Sequence, residues 1–306
     1  MRHVLGRLLC LSLLLVSFRP QAEELAVVAS KEVSFESEGV TLIGTLFQPA
    51  HPRAAVVIVH GSGQEKRMKD FATRLARDGI AVLTYDKRGV GASGGVYAGP
   101  EVGTNNVDAA NLALLAADAG ASVDALLARL PSRDVPVGLV GFSQAAWIIP
   151  LAAKKHPGVQ FMVIFSGPVV TAREQLRFQF YTQGAPDFWK THTEADARDH
   201  IRNDPDRYQF ADTDPRDALA ALSIPGLWLY GAVDVQAPVQ LSVERLDALK
   251  AQGKAYESRV FPGLGHNVAF ADSSEPVDAA VKWITARSHI PPDNRQARAV
   301  SLRTSR

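Results

Sequence analysis

Three residues whose types can together cleave an acyl bond stand in the chain as Ser143, Asp234 and His266. A serine hydroxyl becomes a strong nucleophile only when a neighbouring imidazole takes its proton. An imidazole can do so near neutral pH, and a carboxylate can fix its tautomer and stabilise the imidazolium. We therefore predict that these residues act as nucleophile, general base and orienting acid.

The segment 137–146 surrounds Ser143 with a pattern that predicts a strand, a very tight turn and a helix. An apolar run ends in Gly-x-Ser-x-Ala, and Gly141 and Ala145 are small enough for strand and helix to approach closely. Such a turn holds the serine in strained backbone and exposes its hydroxyl. The first free N–H group of the helix, that of Gln144, can then stabilise a developing oxyanion.

A second glycine-rich turn, His60-Gly61-Ser62-Gly63, follows another apolar run and is predicted to complete the oxyanion hole. The candidate donor is the N–H of Ser62, and the glycines let the backbone approach a ligand. His60 is expected to support this loop rather than to carry protons.

Several aspartates are candidates for the acid that orients His266. Asp234 and His266 each follow an apolar run that predicts a strand, and the carboxyl ends of parallel strands meet at one edge of a sheet. Asp212, Asp214 and Asp272 could also lie near the site.

Other ionisable residues receive supporting roles. Asp86 and Arg88 are expected to form an ion-paired brace for the loops. No metal site is predicted, because five further histidines show no metal-ligand spacing; they are His51, His156, His192, His200 and His289.

Apolar runs alternate with helical patterns between residues 54 and 165, which predicts a mostly parallel sheet with helices on both faces. An antiparallel hairpin is expected before it, near residues 32–47. A helix is expected over residues 105–130, with an interruption at Gly120. Residues 169–221 break the alternation with aromatic and charged residues, and their length predicts a functional insertion, which we interpret as a helical cap.

The N-terminus has the pattern of a secretory signal peptide. Basic residues precede an apolar stretch of eleven residues (8–18), which is too short to span a bilayer. Cleavage is predicted after Ala22, with an uncleaved anchor as the alternative. The domains are therefore expected to be a signal peptide (1–22), a catalytic domain (23–290) and a disordered tail (291–306), in a periplasmic or secreted protein.

Removal of residues 1–22 would change the balance of 33 basic and 32 acidic residues to 30 and 32. This near-neutral balance indicates neither a nucleic-acid nor an anionic-membrane partner. The single cysteine, Cys10, lies in the predicted signal, so a disulfide, a thiolate metal site and a cysteine nucleophile are excluded from the mature chain. The expected partner is a small-molecule substrate, and the oligomeric state is left open.

The motifs together resemble those of the α/β-hydrolase superfamily. The resemblance extends from about Val33 to Arg287, and the triad order Ser, Asp, His matches that superfamily. Residues 59–63, 85–93 and 141–144 look like the bacterial esterases related to the serine-aminopeptidase-like group. The resemblance implies a cofactor-free serine hydrolase with a lid between strands six and seven. The family pattern usually ends the elbow with Gly, where this chain has Ala145.

Three functions are compatible with these observations. The leading prediction is a carboxylic ester hydrolase that forms an acyl-enzyme. A peptidase or amidase acting on short peptides would use the same triad, and an aminopeptidase would also need cap carboxylates for the substrate ammonium. The candidates for that role are Glu194, Asp196, Asp199 and Asp204. The third possible function is that of a non-catalytic binding protein with the same fold.

Overall fold

The structure, a computed structural model, describes residues 28–99 and 106–289. Its centre is an eight-stranded sheet in the order β1-β2-β4-β3-β5-β6-β7-β8. The strands are β1 (Ala29–Ser37), β2 (Val40–Gln48), β3 (Ala54–Val59), β4 (Ile80–Tyr85), β5 (Val137–Phe142), β6 (Phe161–Phe165), β7 (Gly226–Gly231) and β8 (Tyr256–Phe261). β1 and β2 form an antiparallel hairpin, β2 pairs antiparallel with β4, and all other pairings are parallel.

Helices cover both faces of the sheet, because the central strands are apolar on both sides. Every residue of β3 is buried; Ala55, Val57 and Val59 join one apolar cluster, and their neighbours join the other. The helices are α1 (Lys69–Arg77), α2 (Ala109–Leu127), α3 (Ala145–Lys155), α4 (Ala172–Thr182), α5 (Phe188–Thr191), α6 (Glu194–Asn203), α7 (Pro215–Ala221), α8 (Val239–Ala251) and α9 (Glu275–Thr285). Residues of α1 and α9 pack in the second cluster, and residues of α2, α3, α7 and α8 in the first.

The long helix α2 corrects one prediction, because it runs through Gly120 without a break. Leu112, Ala116 and Val123 bury one side of this helix in the core, and such packing outweighs the roughly 1 kcal/mol that an interior glycine costs. The helix is long and apolar enough to cross a membrane by composition. Half of its apolar window is nevertheless buried inside the protein.

The segment predicted as a cap holds four helices, α4 to α7, between β6 and β7. Thr171 and Thr193 begin α4 and α6 with capping boxes, in which the threonine and an acidic side chain three residues later satisfy each other's backbone N–H groups. A small apolar cluster of Phe178, Ala197 and Ile201 joins these two helices. The predicted signal peptide (1–22) and tail (291–306) lie outside the described residues and stay predictions.

Candidate active site

Ser143 lies on a strained turn between β5 and α3. Its φ is +49°, in the left-handed region that is costly for a residue with a side chain. The turn is tight, because a Cβ placed on Gly141 would lie 2.4 Å from the Cβ of Ala145. The alanine methyl, where the family pattern has glycine, is therefore accommodated by the glycine opposite it.

The side chains of Ser143, His266 and Asp234 form a hydrogen-bonded row. His266 Nε2 lies 3.0 Å from Ser143 Oγ, and His266 Nδ1 lies 2.8 Å from Asp234 Oδ2. Asp234 is 1% exposed, and its Oδ1 accepts N–H bonds from Gln236 (2.7 Å) and Ala237 (2.9 Å). A carboxylate held in this way presents an acceptor to Nδ1, so the tautomer with Nε2 free to take the serine proton is favoured.

Backbone contacts hold the loops that carry this row. Ser166, itself at φ +51°, donates its hydroxyl to the backbone oxygen of His266. Trp189 of the cap donates its indole N–H to the backbone oxygen of Asp234 at 2.8 Å. Neither contact is predictable from the sequence, because nothing in the local pattern links these residues to the loops they touch.

The competing aspartates are engaged elsewhere or exposed. Asp212 accepts the backbone N–H of Arg173 at 3.1 Å. Asp214 caps α7 and pairs with Arg216, whereas Asp272 is exposed. Among the carboxylates in the described ranges, the one that bonds His266 is Asp234. The described residues also contain no group of three or more His, Cys, Asp or Glu side chains that could hold a metal ion.

The two predicted oxyanion donors border the same cavity as Ser143. Ser62 and Gln144 both line it, and within the described part of the chain neither backbone N–H donates a hydrogen bond to another residue. The loop that carries Ser62 is fixed on both sides. Glu65 accepts the N–H of Gly61 at 3.0 Å, and the Tyr97 hydroxyl donates to the Ser62 oxygen at 3.0 Å. The assignment of these two N–H groups as an oxyanion hole stays a prediction.

Lys87 holds both halves of this arrangement, and the sequence analysis missed it. The side chain is buried, and its ammonium donates to the Gly61 oxygen at 2.6 Å and to Gln144 Oε1 at 3.2 Å. The Gly61 carbonyl and the Ser62 N–H belong to one planar trans peptide, in which they point in opposite directions. A hydrogen bond from Lys87 to that oxygen therefore directs the Ser62 N–H away from Lys87 and strengthens it as a donor.

His60 lies under the same loop in neutral form. Burial, reinforced by the positive charge of Lys87, lowers the pKa of His60 to about 3. Its ring packs edge-on against Tyr85 with centroids 4.9 Å apart. A histidine that stays uncharged at neutral pH fits the supporting role predicted for it.

The predicted ion pair between Asp86 and Arg88 is wrong, because each of the two side chains has other partners. Arg88 pairs with Asp118 of α2, and both side chains are buried. Asp86 instead accepts the backbone N–H groups of Arg67 (2.8 Å) and Ala92 (2.9 Å). Each residue still ties a loop to its surroundings, but the two do not pair with each other, and the partner of Arg88 lies 30 residues away in α2.

The cavity beside Ser143 has a volume of about 450 Å³, within the range of small-molecule sites. None of its described lining residues is charged. They are Ser62, Asn106, Val107, Ser143, Gln144, Trp147, Gln175, Leu176, Gln179, Phe180, Gly184, Tyr208, Val235 and Gln236. The cavity is thus neutral, with aromatic and aliphatic side chains interleaved with amides.

Known structures share this architecture. An esterase from Pyrococcus furiosus superposes with a TM-score of 0.60 at 18% identity, over 85% of this chain and 93% of that one. An acylaminoacyl peptidase from Pyrococcus horikoshii superposes with a TM-score of 0.60 at 16% identity, over 86% of this chain and 42% of that one. A dienelactone hydrolase from Anabaena variabilis superposes with a TM-score of 0.53 at 19% identity, over 85% of this chain and 96% of that one. At these identities the likeness concerns the fold alone.

The sequence itself matches a family model. The model of serine aminopeptidase, S33, matches residues 50–216, more than half of the 306-residue chain. A comparison with curated proteins gives no significant match. The predicted fold class, with its mostly parallel sheet, antiparallel hairpin and helical cap insertion, is confirmed, and the chain belongs to the serine aminopeptidase S33 family of the α/β-hydrolase superfamily.

Proposed function

We propose that this protein is a serine hydrolase that cleaves carboxylic esters through an acyl-enzyme intermediate. The observation that carries the proposal is the row of Ser143, His266 and Asp234, with distances of 3.0 and 2.8 Å. Both distances are within reach for proton transfer. The adjacent cavity gives an ester room to place its carbonyl at the serine hydroxyl.

The reaction follows from this geometry. Ser143 Oγ attacks the ester carbonyl while His266 Nε2 takes its proton, and Asp234 stabilises the resulting imidazolium. The oxyanion accepts hydrogen bonds from the N–H groups of Ser62 and Gln144. When the tetrahedral intermediate collapses, His266 gives the proton to the departing alcohol. A water molecule, deprotonated by the same imidazole, then releases the acid and restores the serine.

A peptidase is the second candidate, and the family description favours it. An aminopeptidase must hold its substrate's ammonium group with a carboxylate, yet no described residue of the cavity lining is acidic. The four cap carboxylates considered for this role have partners on their own helix or its ends: Glu194 with Arg198, Asp196 with Thr193, Asp199 with Asn203 and Asp204 with His200. An uncharged ester matches the neutral cavity better.

The third candidate, a non-catalytic binding protein, predicts damage to at least one functional part. Ser143, His266 and Asp234 are linked by hydrogen bonds, and Ser62 and Gln144 line the same cavity as Ser143. This favours an enzyme over a binding protein.

The test is hydrolysis of p-nitrophenyl esters, from acetate to decanoate, by the purified protein and by Ser143→Ala. We expect kcat to fall by at least about 10⁴-fold in the variant, because a triad without its nucleophile retains little activity. Ser132→Ala, at an exposed serine outside the cavity lining, is the matched control and should keep wild-type rates. Equal activity in wild type and Ser143→Ala would refute the mechanism. A folded wild type that cleaves aminoacyl p-nitroanilides and no ester would favour the peptidase.

A further inference from the structure

Five of the described residues that line the cavity beside Ser143 carry side-chain amides. They are Asn106, Gln144, Gln175, Gln179 and Gln236. An amide group offers both donors and acceptors. The hydrogen bonds that each amide already makes therefore determine which groups remain for a substrate.

The Gln144 amide is already used inside the protein. Its nitrogen donates to the backbone oxygen of Asn106, and its oxygen accepts from Lys87 at 3.2 Å. This side chain therefore fixes the elbow and leaves substrate contacts to the other amides.

Gln175 of α4 has one half of its amide unpaired. Its nitrogen donates to the backbone oxygen of Gln236, and because a carbonyl oxygen can only accept, this bond fixes which end of the amide is which. Gln175 is 4% exposed, and its Oε1 has no hydrogen-bond partner among the described residues. A buried acceptor without a donor is costly, so a ligand that brought an O–H or N–H to this oxygen would be bound favourably.

Gln179 follows Gln175 by one helical turn and lies on the same side of α4. It is half-buried, and its side-chain amide makes no hydrogen bond within the described ranges. Beside it, Phe180 packs against Tyr208 with ring centroids 5.7 Å apart. One helix thus presents two glutamines to the cavity, next to an aromatic surface.

This lining discriminates among ester substituents. An alkyl chain would leave the amides without partners, and a charged group would find no opposite charge on the described lining. A neutral group with hydroxyl or amide N–H donors would pair with the glutamines. We propose, on the basis of the ester hydrolase function above, that the cavity selects esters with a neutral, hydroxyl- or amide-bearing substituent, and that Gln175 and Gln179 bind it.

The test uses two pairs of substrates that differ by hydroxyl groups: p-nitrophenyl butyrate against p-nitrophenyl 3-hydroxybutyrate, and propyl butyrate against glyceryl monobutyrate. The first pair changes the acyl side and the second the alcohol side. We expect wild type to prefer the hydroxylated member of at least one pair in kcat/KM. In Gln179→Met and in Gln175→Met, which keep the side-chain length, that preference should fall about three- to tenfold, the worth of one neutral hydrogen bond. Gln240→Met, at an exposed glutamine of α8 outside the lining, is the control and should keep the preference.

Two results would overturn the proposal: no preference in either pair, or a preference that both glutamine variants retain. If Gln175→Met does not fold, the half-buried Gln179→Met decides. Calorimetric binding of glyceryl monobutyrate to Ser143→Ala separates selection from catalysis, because it requires no hydrolysis. Binding that weakens when Gln179→Met or Gln175→Met is added would uphold the selection even if esters were not turned over. Binding unchanged by both substitutions would refute the selection even in an active esterase.

Discussion

Different interactions fix the side chains in two regions, the carboxyl-end edge of the sheet near Ser143 and the cap. We call the first region the sheet edge. At the sheet edge, Asp234, Lys87 and His60 are each at most 2% exposed, and hydrogen bonds or close packing fix their side chains. In the cap, Arg173 and Arg177 share Asp206 through ion pairs whose side chains are 21–27% exposed. Buried charge-assisted hydrogen bonds are costly to break, whereas partly exposed ion pairs contribute about 1 kcal/mol or less.

This difference separates two tasks. Groups that act on the reacting atoms need fixed positions, since small displacements cost large factors in rate. Groups that select the substituent can lie on a separate layer, the cap, without touching the reacting atoms. Equivalent substitutions in the two regions should therefore have unequal effects on activity.

The largest contrast is expected between Asp234→Asn and Asp206→Asn. The first should lower kcat by about 10⁴-fold, because an amide facing Nδ1 favours the wrong histidine tautomer. The second weakens cap ion pairs and should change kcat less than about threefold. Steady-state kinetics on one ester measures both. Similar losses in the two variants would show that the cap is as critical as the sheet edge.

A smaller contrast is expected between Lys87→Met and Lys190→Met. Loss of the Lys87 ammonium leaves the Gly61 oxygen and the Gln144 side chain without their donor, so kcat should fall about 10- to 100-fold with little change in KM. Lys190 is a cap lysine whose side chain is 75% exposed, and its substitution should leave both constants unchanged. A rise in KM with kcat intact in Lys87→Met would argue against an effect on the oxyanion donors.

A third contrast concerns acid stability, on which no change in kcat is expected to depend, and compares His60→Gln with His200→Gln. The pKa of His60 is about 3 in the folded protein, against 6.5 for a histidine exposed to water. The unfolded chain therefore binds a proton between these values that the folded protein does not, and the free energy of unfolding decreases as the pH falls from about 6.5 towards 3. The contribution is at most about 1.4 kcal/mol per pH unit.

Urea unfolding at several pH values measures this slope. His60→Gln should flatten the slope of unfolding free energy against pH in that window. The raised pKa of the nearby Glu65 contributes a slope of the opposite sign. His200, a cap histidine stacked on Tyr181 and partly open to solvent, should have less influence. A slope unchanged by His60→Gln would mean that this histidine is not kept neutral by the fold.

Several features were predictable because they depend on short stretches of chain. The elbow follows from Gly141 and Ala145 around Ser143, and β3 and β6 are continuous apolar runs, as parallel strands buried on both faces are. Four loops, which carry Ser62, Ser143, Asp234 and His266, converge because sites form at the carboxyl ends of parallel strands. The break expected at Gly120 was wrong because tertiary packing overrode local propensity.

By itself, then, the sequence determined the class of fold, the cap's place between β6 and β7, and the order of Ser143, Asp234 and His266. Only the tertiary structure decided which side chains meet. Arg88 with Asp118, Lys87 with Gly61 and Gln175 with the Gln236 carbonyl are 26 to 61 residues apart. Such pairings depend on the direction of each side chain and on the burial that removes water as a competing partner, and neither is encoded in local spacing.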